Sequence, residues 1–77
     1  MKRFHIIITV DYMPLQFDIS EMVSNGDLVF QVTTVNHGSQ TMHFDNEQGE
    51  YIFVPKPDAF WEKIERELSY KIQFENS

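Results

Sequence analysis

Three residues have side chains and a spacing that could bind a metal ion or a small ligand: His5, His43 and Asp45. His43 and Asp45 lie two positions apart in a segment predicted to be extended, so their side chains point to the same face of a strand. The predicted register places His5 on that face too. Two imidazoles and a carboxylate are donors that a divalent metal accepts, which makes a metal or small-ligand site one hypothesis. The alternative is a solvated strand face on which these histidines bind no ligand.

The sequence contains no motif typical of nucleophilic catalysis or phosphate binding. No cysteine is present, which excludes thiolate nucleophiles and thiolate metal sites. The three glycines are isolated, so no phosphate-binding loop is predicted. The serines fall in predicted loops, the helix or the tail, outside any nucleophile-elbow motif: Ser20, Ser24, Ser39, Ser69 and Ser77. We therefore expect a non-enzymatic protein without a cofactor.

A helix is predicted from Pro57 to Phe74, because apolar residues recur there at intervals of three and four. They form one stripe: Phe60, Trp61, Ile64, Leu68 and Ile72. A helix of this length is marginal alone in water, so the stripe must cover another surface. Trp61 is expected to close that contact, although tryptophan is also common as an anchor for partners.

The covered surface is predicted to be an antiparallel sheet, because alternating apolar segments are separated by turns too short for parallel crossovers. Five strands are expected, at residues 4–10, 15–19, 28–35, 40–45 and 50–54. Turns are expected at residues 11–14, 36–39 and 46–49, with a longer loop over 20–27. The fold class is therefore α+β, a five-stranded antiparallel, meander-like sheet (βββββα) with one C-terminal amphipathic helix on one face.

The two faces of this sheet differ. One collects most of the aromatic residues and is the expected bed for the helix. The other mixes polar residues with aliphatic ones, and a contiguous aliphatic patch of several hundred Å² usually marks a contact site. The predicted interface residues are Ile7, Val29, Val35, Ile52 and Val54. A homodimer or another protein partner would cover them; a soluble monomer with a diluted patch is the alternative.

Length and charge restrict the function further. Seventy-seven residues make one domain, 1–77. Twelve acidic against six basic residues, a net charge of −6, disfavour nucleic-acid binding. The apolar run after Met1 is interrupted by Thr9 and Asp11, which favours an inner strand over a signal peptide or membrane span. A cytoplasmic location is therefore expected.

These observations lead to one main functional hypothesis, a small interaction or regulatory module acting through an open sheet face or an edge strand. Self-association as a homodimer is one form of it. Two alternatives are a metal or small-ligand protein using His5, His43 and Asp45, and an acidic inhibitor of a nucleic-acid-binding protein.

Overall fold

The fold is a five-stranded antiparallel meander followed by one helix. A computed structural model describes residues 1–75, and its strands lie side by side in chain order. The elements are β1 (Arg3–Val10), β2 (Met13–Ser24), β3 (Asp27–Thr34), β4 (Gly38–Asp45), β5 (Glu50–Phe53) and α1 (Ala59–Glu75). This confirms the predicted α+β class and the βββββα order. Ser77, predicted to be a tail residue, lies outside the described residues.

The first hairpin turns more tightly than predicted. Only Asp11 and Tyr12 form the turn, both with positive φ (50° and 68°), the backbone geometry of a two-residue hairpin. Pro14 was expected in this turn but lies in β2, paired with Thr9. The backbone nitrogen of Pro14 points away from β1, towards the side on which β2 pairs with β3. That pairing begins only at Asp18. The missing N–H of proline therefore breaks no ladder bond.

The second hairpin also replaces a predicted loop. Asn25 and Gly26 both have positive φ (52° and 84°) and again make a two-residue turn. Such a turn needs paired residues on both sides, here Ser24 and Asp27. Strand β2 consequently continues through residues 20–24, which the sequence analysis assigned to a loop.

Helix α1 begins two residues later than predicted because Asp58 is its N-cap. The Asp58 Oδ1 atom accepts hydrogen bonds from the backbone N–H groups of Phe60 (3.1 Å) and Trp61 (3.4 Å). A carboxylate at this position satisfies N–H groups that have no partner within the helix and complements the helix dipole. Pro57 therefore lies before the helix rather than in its first turn.

The core lies between the predicted helical stripe and the aromatic face of the sheet. Trp61 is 1% exposed and packs edge-to-face against Phe17 and Phe53, with ring centroids 5.9 and 5.4 Å apart. Phe60 is partly buried and stacks on His37 of the β3–β4 turn at 3.6 Å. The expected core role of Trp61 is confirmed, and its ring contacts join β2, β5 and the helix.

The helix runs alongside β1 in the opposite direction. Near its start, Lys63 Nζ forms an ion pair with Asp11 just after β1 (2.9 Å). At its end, Lys2 Nζ donates to the Glu75 carbonyl oxygen just before β1 (2.6 Å). On its other side the helix contacts β5. Helix α1 therefore lies between the first and last strands of the sheet and contacts both.

Candidate functional site

The predicted metal-site residues do not come together. His5 is on β1 and His43 on β4, three strand spacings apart, or about 14 Å at ~4.8 Å per spacing. Asp45 Oδ1 instead accepts from the N–H of Glu47 and shapes the β4–β5 turn (3.1 Å). Within residues 1–75, no group of three or more His, Cys, Asp or Glu side chains is placed to hold a metal ion. The proposed ligand set is therefore not assembled.

The five predicted interface residues are dispersed. Val29 was expected to be exposed but is 1% exposed, because it lies mid-sheet between its cross-strand neighbours Met22 and His43. Ile7 is exposed on β1, and Val35 is exposed in the β3–β4 turn. Ile52 is half-buried on β5, and Val54 is exposed just beyond it. Between Ile7 on β1 and Val54 after β5, this face of the sheet carries polar cross-strand pairs: His5–Asp18, Asp18–Thr33, Ser20–Gln31 and Gln31–Thr41.

The outer edge of β5 is protected by the helix. The backbone N–H of Tyr51 donates to Ser69 Oγ (2.8 Å), and that of Phe53 donates to Glu65 Oε2 (2.8 Å). Ser69 is itself buried and also accepts from Gln73 Nε2 (3.1 Å). These two N–H groups point away from β4, so the helical side chains take the place of a sixth strand. This edge is closed to strand addition.

The outer edge of β1 is different. The Glu21 N–H donates to the Lys2 carbonyl oxygen (2.8 Å), which shows that the even-numbered residues of β1 form the bonds to β2. The backbone N–H and C=O groups of the odd-numbered residues therefore point away from β2, in the plane of the sheet: Arg3, His5, Ile7 and Thr9. No described residue of the chain hydrogen-bonds to these four units. The eight-residue strand therefore presents four outward peptide units whose donors and acceptors have no partner among residues 1–75.

An apolar groove runs beside this edge. It is an open groove of about 390 Å³, lined by Ile6 on β1 and by the aromatic residues Tyr70 and Phe74 and the charged residues Lys71 and Glu75 on α1. Tyr70 and Phe74 are each 71% exposed, whereas Ile6 is 9% exposed. Exposed aromatic rings beside unpaired backbone groups are suited to covering the side chains of an added strand. The candidate functional site, the β1 edge, consists of the four outward peptide units and this groove.

A second apolar surface lies at the far end of the helix-covered face. Val23 pairs with Leu28, and Phe44 pairs with Tyr51, in one row that the helix leaves largely uncovered. Leu28 and Phe44 lie on the helix-covered face of the sheet, yet they are 44% and 47% exposed. The reason is that α1 lies along β1 and β5, so its stripe does not reach the end of the long β2–β3 hairpin.

In this second surface, the pKa of Tyr51 is raised above its ordinary value of 10.0, first by burial and then by the negative charge of Glu21. Because the folded pKa is the higher one, the unfolded chain releases its phenolic proton first. We therefore expect the free energy of unfolding to fall as pH rises above about 10. Tyr51→Phe should flatten this fall, and Glu21→Gln should flatten it less, in urea titrations at successive pH values. An equally steep fall in Tyr51→Phe would assign the alkaline loss to other groups.

The apolar run of residues 4–10 predicts an inner strand, and this prediction is wrong, because β1 is the first strand of the sheet and lies at its edge. The β1 edge was therefore not predicted as a site. The visible signal was the run Ile6-Ile7-Ile8, without proline, next to a polar hairpin turn. Which strand lies at the edge, however, depends on the strand order. The pair Tyr70 and Phe74 was visible as an apolar flank outside the main helical stripe, but its neighbour Ile6 was not.

The geometry defines a class, a small α+β protein with one protected and one unprotected sheet edge. No protein-family model, curated protein or solved structure matches this chain. Within the described residues, α1 is too short and too polar to serve as a membrane-spanning helix.

Proposed function

We propose that the protein is a non-enzymatic interaction module that binds an extended segment of a partner protein along the β1 edge. The observation that carries this proposal is the difference between the two edges. Helical side chains accept hydrogen bonds from β5, whereas the outward peptide units of β1 have no such partner among residues 1–75.

An unprotected edge of this kind is a template for another strand. Proteins usually prevent such pairing with a proline, a bulge, a very short strand or an inward-pointing charge. Strand β1 is eight residues long, pairs with β2 without a break, and points Phe4, Ile6, Ile8 and Val10 inward. It lacks each of these devices, and of the charged side chains that also protect edge strands it carries Arg3, at its start. Strand addition supplies affinity through main-chain hydrogen bonds, and neighbouring pockets supply specificity.

The hydroxyl groups of two serines, Ser39 and Ser69, also support binding over catalysis. Ser69 bonds to the backbone of Tyr51, and the Ser39 hydroxyl bonds to that of Thr33 (2.7 Å). Both therefore act in structural contacts rather than beside a general base. Inhibition of a nucleic-acid-binding protein through acidic residues stays an alternative prediction, for which no geometric feature argues specifically.

Selection from a random peptide library displayed on phage tests the proposal. We expect the immobilised protein to enrich peptides with alternating apolar residues, which pair in extended form. Ile7→Pro removes an outward N–H while leaving the β1–β2 bonds intact, because Ile7 does not bond to β2. Its affinity for the selected peptides should fall at least tenfold.

Ile7→Val is the matched control, since it keeps the N–H group and a β-branched side chain. It should retain the affinity of the parent protein. Far-UV circular dichroism establishes that both variants keep the fold. Peptides that bind Ile7→Pro as tightly as the parent protein, or failure to enrich any peptide, would refute the proposed function.

A further inference from the structure

We infer that one partner of the β1 edge is a second copy of this chain, bound with β1 antiparallel to its counterpart and a two-fold axis passing beside Ile6. This inference rests on the proposed function, because it names an occupant for the same edge. It depends on three features of β1 and its surroundings: the positions of its outward peptide units, the ends at which its charges lie, and the groove against α1.

The outward peptide units are self-complementary in this register. An axis at Ile6 places Arg3 opposite the partner's Thr9 and His5 opposite the partner's Ile7. Each pair exchanges two hydrogen bonds, so all four outward units of both protomers are used. A shift of the axis to His5 or Ile7 leaves one unit at the end of the strand unpaired. The axis at Ile6 is therefore the register that satisfies the whole edge.

The charges of β1 fit the same arrangement. Lys2 and Arg3 are at one end of the strand, and Asp11 is at the other. Antiparallel pairing brings Lys2 and Arg3 of one protomer to the end that carries the partner's Asp11, whose carboxylate is largely exposed. The two Arg3 residues stay six residues apart along the strand direction, about 20 Å. Opposite charges of the two β1 strands thus meet at both ends, beside the contacts that Asp11 makes with Lys63 and Lys2 makes with Glu75 within each chain, whose net charge is −6.

The groove supplies the apolar part of the contact. The two helices lie on the same face of the joined sheet, since the axis is perpendicular to it. Each helix runs along its own β1, and Ile6 lines the groove with Tyr70 and Phe74, together with the charged residues Lys71 and Glu75. The exposed rings of both protomers therefore approach one another above the paired strands. Burying exposed aromatic side chains at the centre of a contact is a usual source of interface energy.

Sedimentation equilibrium on the full chain over a wide concentration range tests for the dimer. We expect a concentration-dependent rise in mass from 9.2 kDa towards twice that value. Ile7→Pro should weaken dimerisation at least tenfold, because the symmetric contact loses the N–H group twice, and Ile7→Val should not. Dimerisation that is unchanged in Ile7→Pro would assign the contact to another surface, such as the row of Val23, Leu28 and Phe44, and overturn the inference.

A disulfide tests the register and remains informative if Ile7→Pro fails to fold. The chain has no cysteine, so Ile6→Cys introduces a single thiol. Across the axis, position 6 faces its own copy as a non-hydrogen-bonded pair with Cα atoms about 4.5 Å apart, within disulfide range. Oxidised glutathione should therefore convert Ile6→Cys to a covalent dimer. The matched variant Ile8→Cys faces Phe4 of the partner, so it should crosslink much more slowly.

Equal crosslinking of the two cysteine variants would overturn the register. A parent protein that stays monomeric at every concentration would overturn the second copy as partner. The peptide selection decides the proposed function separately. Peptides that lose affinity in Ile7→Pro, found with a strictly monomeric parent protein, would leave the β1 edge as a site for other proteins.

Discussion

Trp61→Ala is expected to lower the free energy of unfolding by about 3–5 kcal/mol, the usual cost of truncating a buried aromatic side chain. Trp61 contacts both Phe17 and Phe53, so its loss separates the helix from β2 and β5 together. A chain of 77 residues is stabilised by about 4–12 kcal/mol, at 0.05–0.15 kcal/mol per residue. The substitution should therefore remove between about a quarter and all of this stability, and the variant is unfolded at 25 °C if the parent lies at the lower end of the range.

Urea denaturation followed by far-UV circular dichroism measures this effect, since the substitution removes the single tryptophan as a fluorophore. Tyr70→Ala is the matched control, an aromatic truncation on the same helix at an exposed position. It should change the stability of the monomer by less than about 0.5 kcal/mol. A loss below about 1 kcal/mol in Trp61→Ala would mean that the helix–sheet contact is not the centre of the core.

Ser69→Ala is expected to cost about 1–3 kcal/mol, because it leaves the N–H of Tyr51 without its acceptor at a buried position. Glu65→Ala removes the acceptor of the Phe53 N–H in the same way. The Glu65 side chain is only half-buried, and water can replace it in part. Its cost should therefore be the smaller of the two.

Amide hydrogen exchange separates these local effects from a general loss of stability. Exchange at the Tyr51 amide should accelerate most in Ser69→Ala, and exchange at the Phe53 amide most in Glu65→Ala. The Ile52 amide faces β4, so it provides the internal reference. Glu65→Gln keeps an oxygen acceptor and should protect Phe53 nearly as well as the parent. Uniform acceleration at all three amides would contradict the specific protection of the β5 edge.

Local patterns predicted most of the secondary structure correctly, for identifiable physical reasons. Alternation placed Ile6, Ile8 and Val10 on one face of β1, and the structure buries all three. Ser20 and Ser24 favour turns, which together with the following Asn25-Gly26 pair predicts a loop that starts at residue 20. The two-residue turn at Asn25 and Gly26 outweighs that local preference, since it holds the flanking residues in pairing distance.

The candidate sites depend on where each strand lies in the sheet, and local sequence patterns do not predict that position. His43 and Asp45 do share a face of β4, as period-two geometry requires. His5 belongs to a strand at the other side of the sheet, and the number of intervening strands leaves no trace in residue spacing. Alternation along β3 similarly places Val29 on the face that the helix does not cover and predicts that it is exposed. Its neighbours on β2 and β4 nevertheless bury it.

By itself, the sequence determined five extended segments, a terminal amphipathic helix and the side of that helix that must be buried. These follow from periodicity and turn chemistry, which act between residues close in the chain. Only the tertiary structure decided that α1 lies between β1 and β5 and that its side chains accept hydrogen bonds from the backbone of the β5 edge. That decision depends on contacts between residues far apart in the chain, and it leaves the backbone of β1 facing outward beside Tyr70 and Phe74.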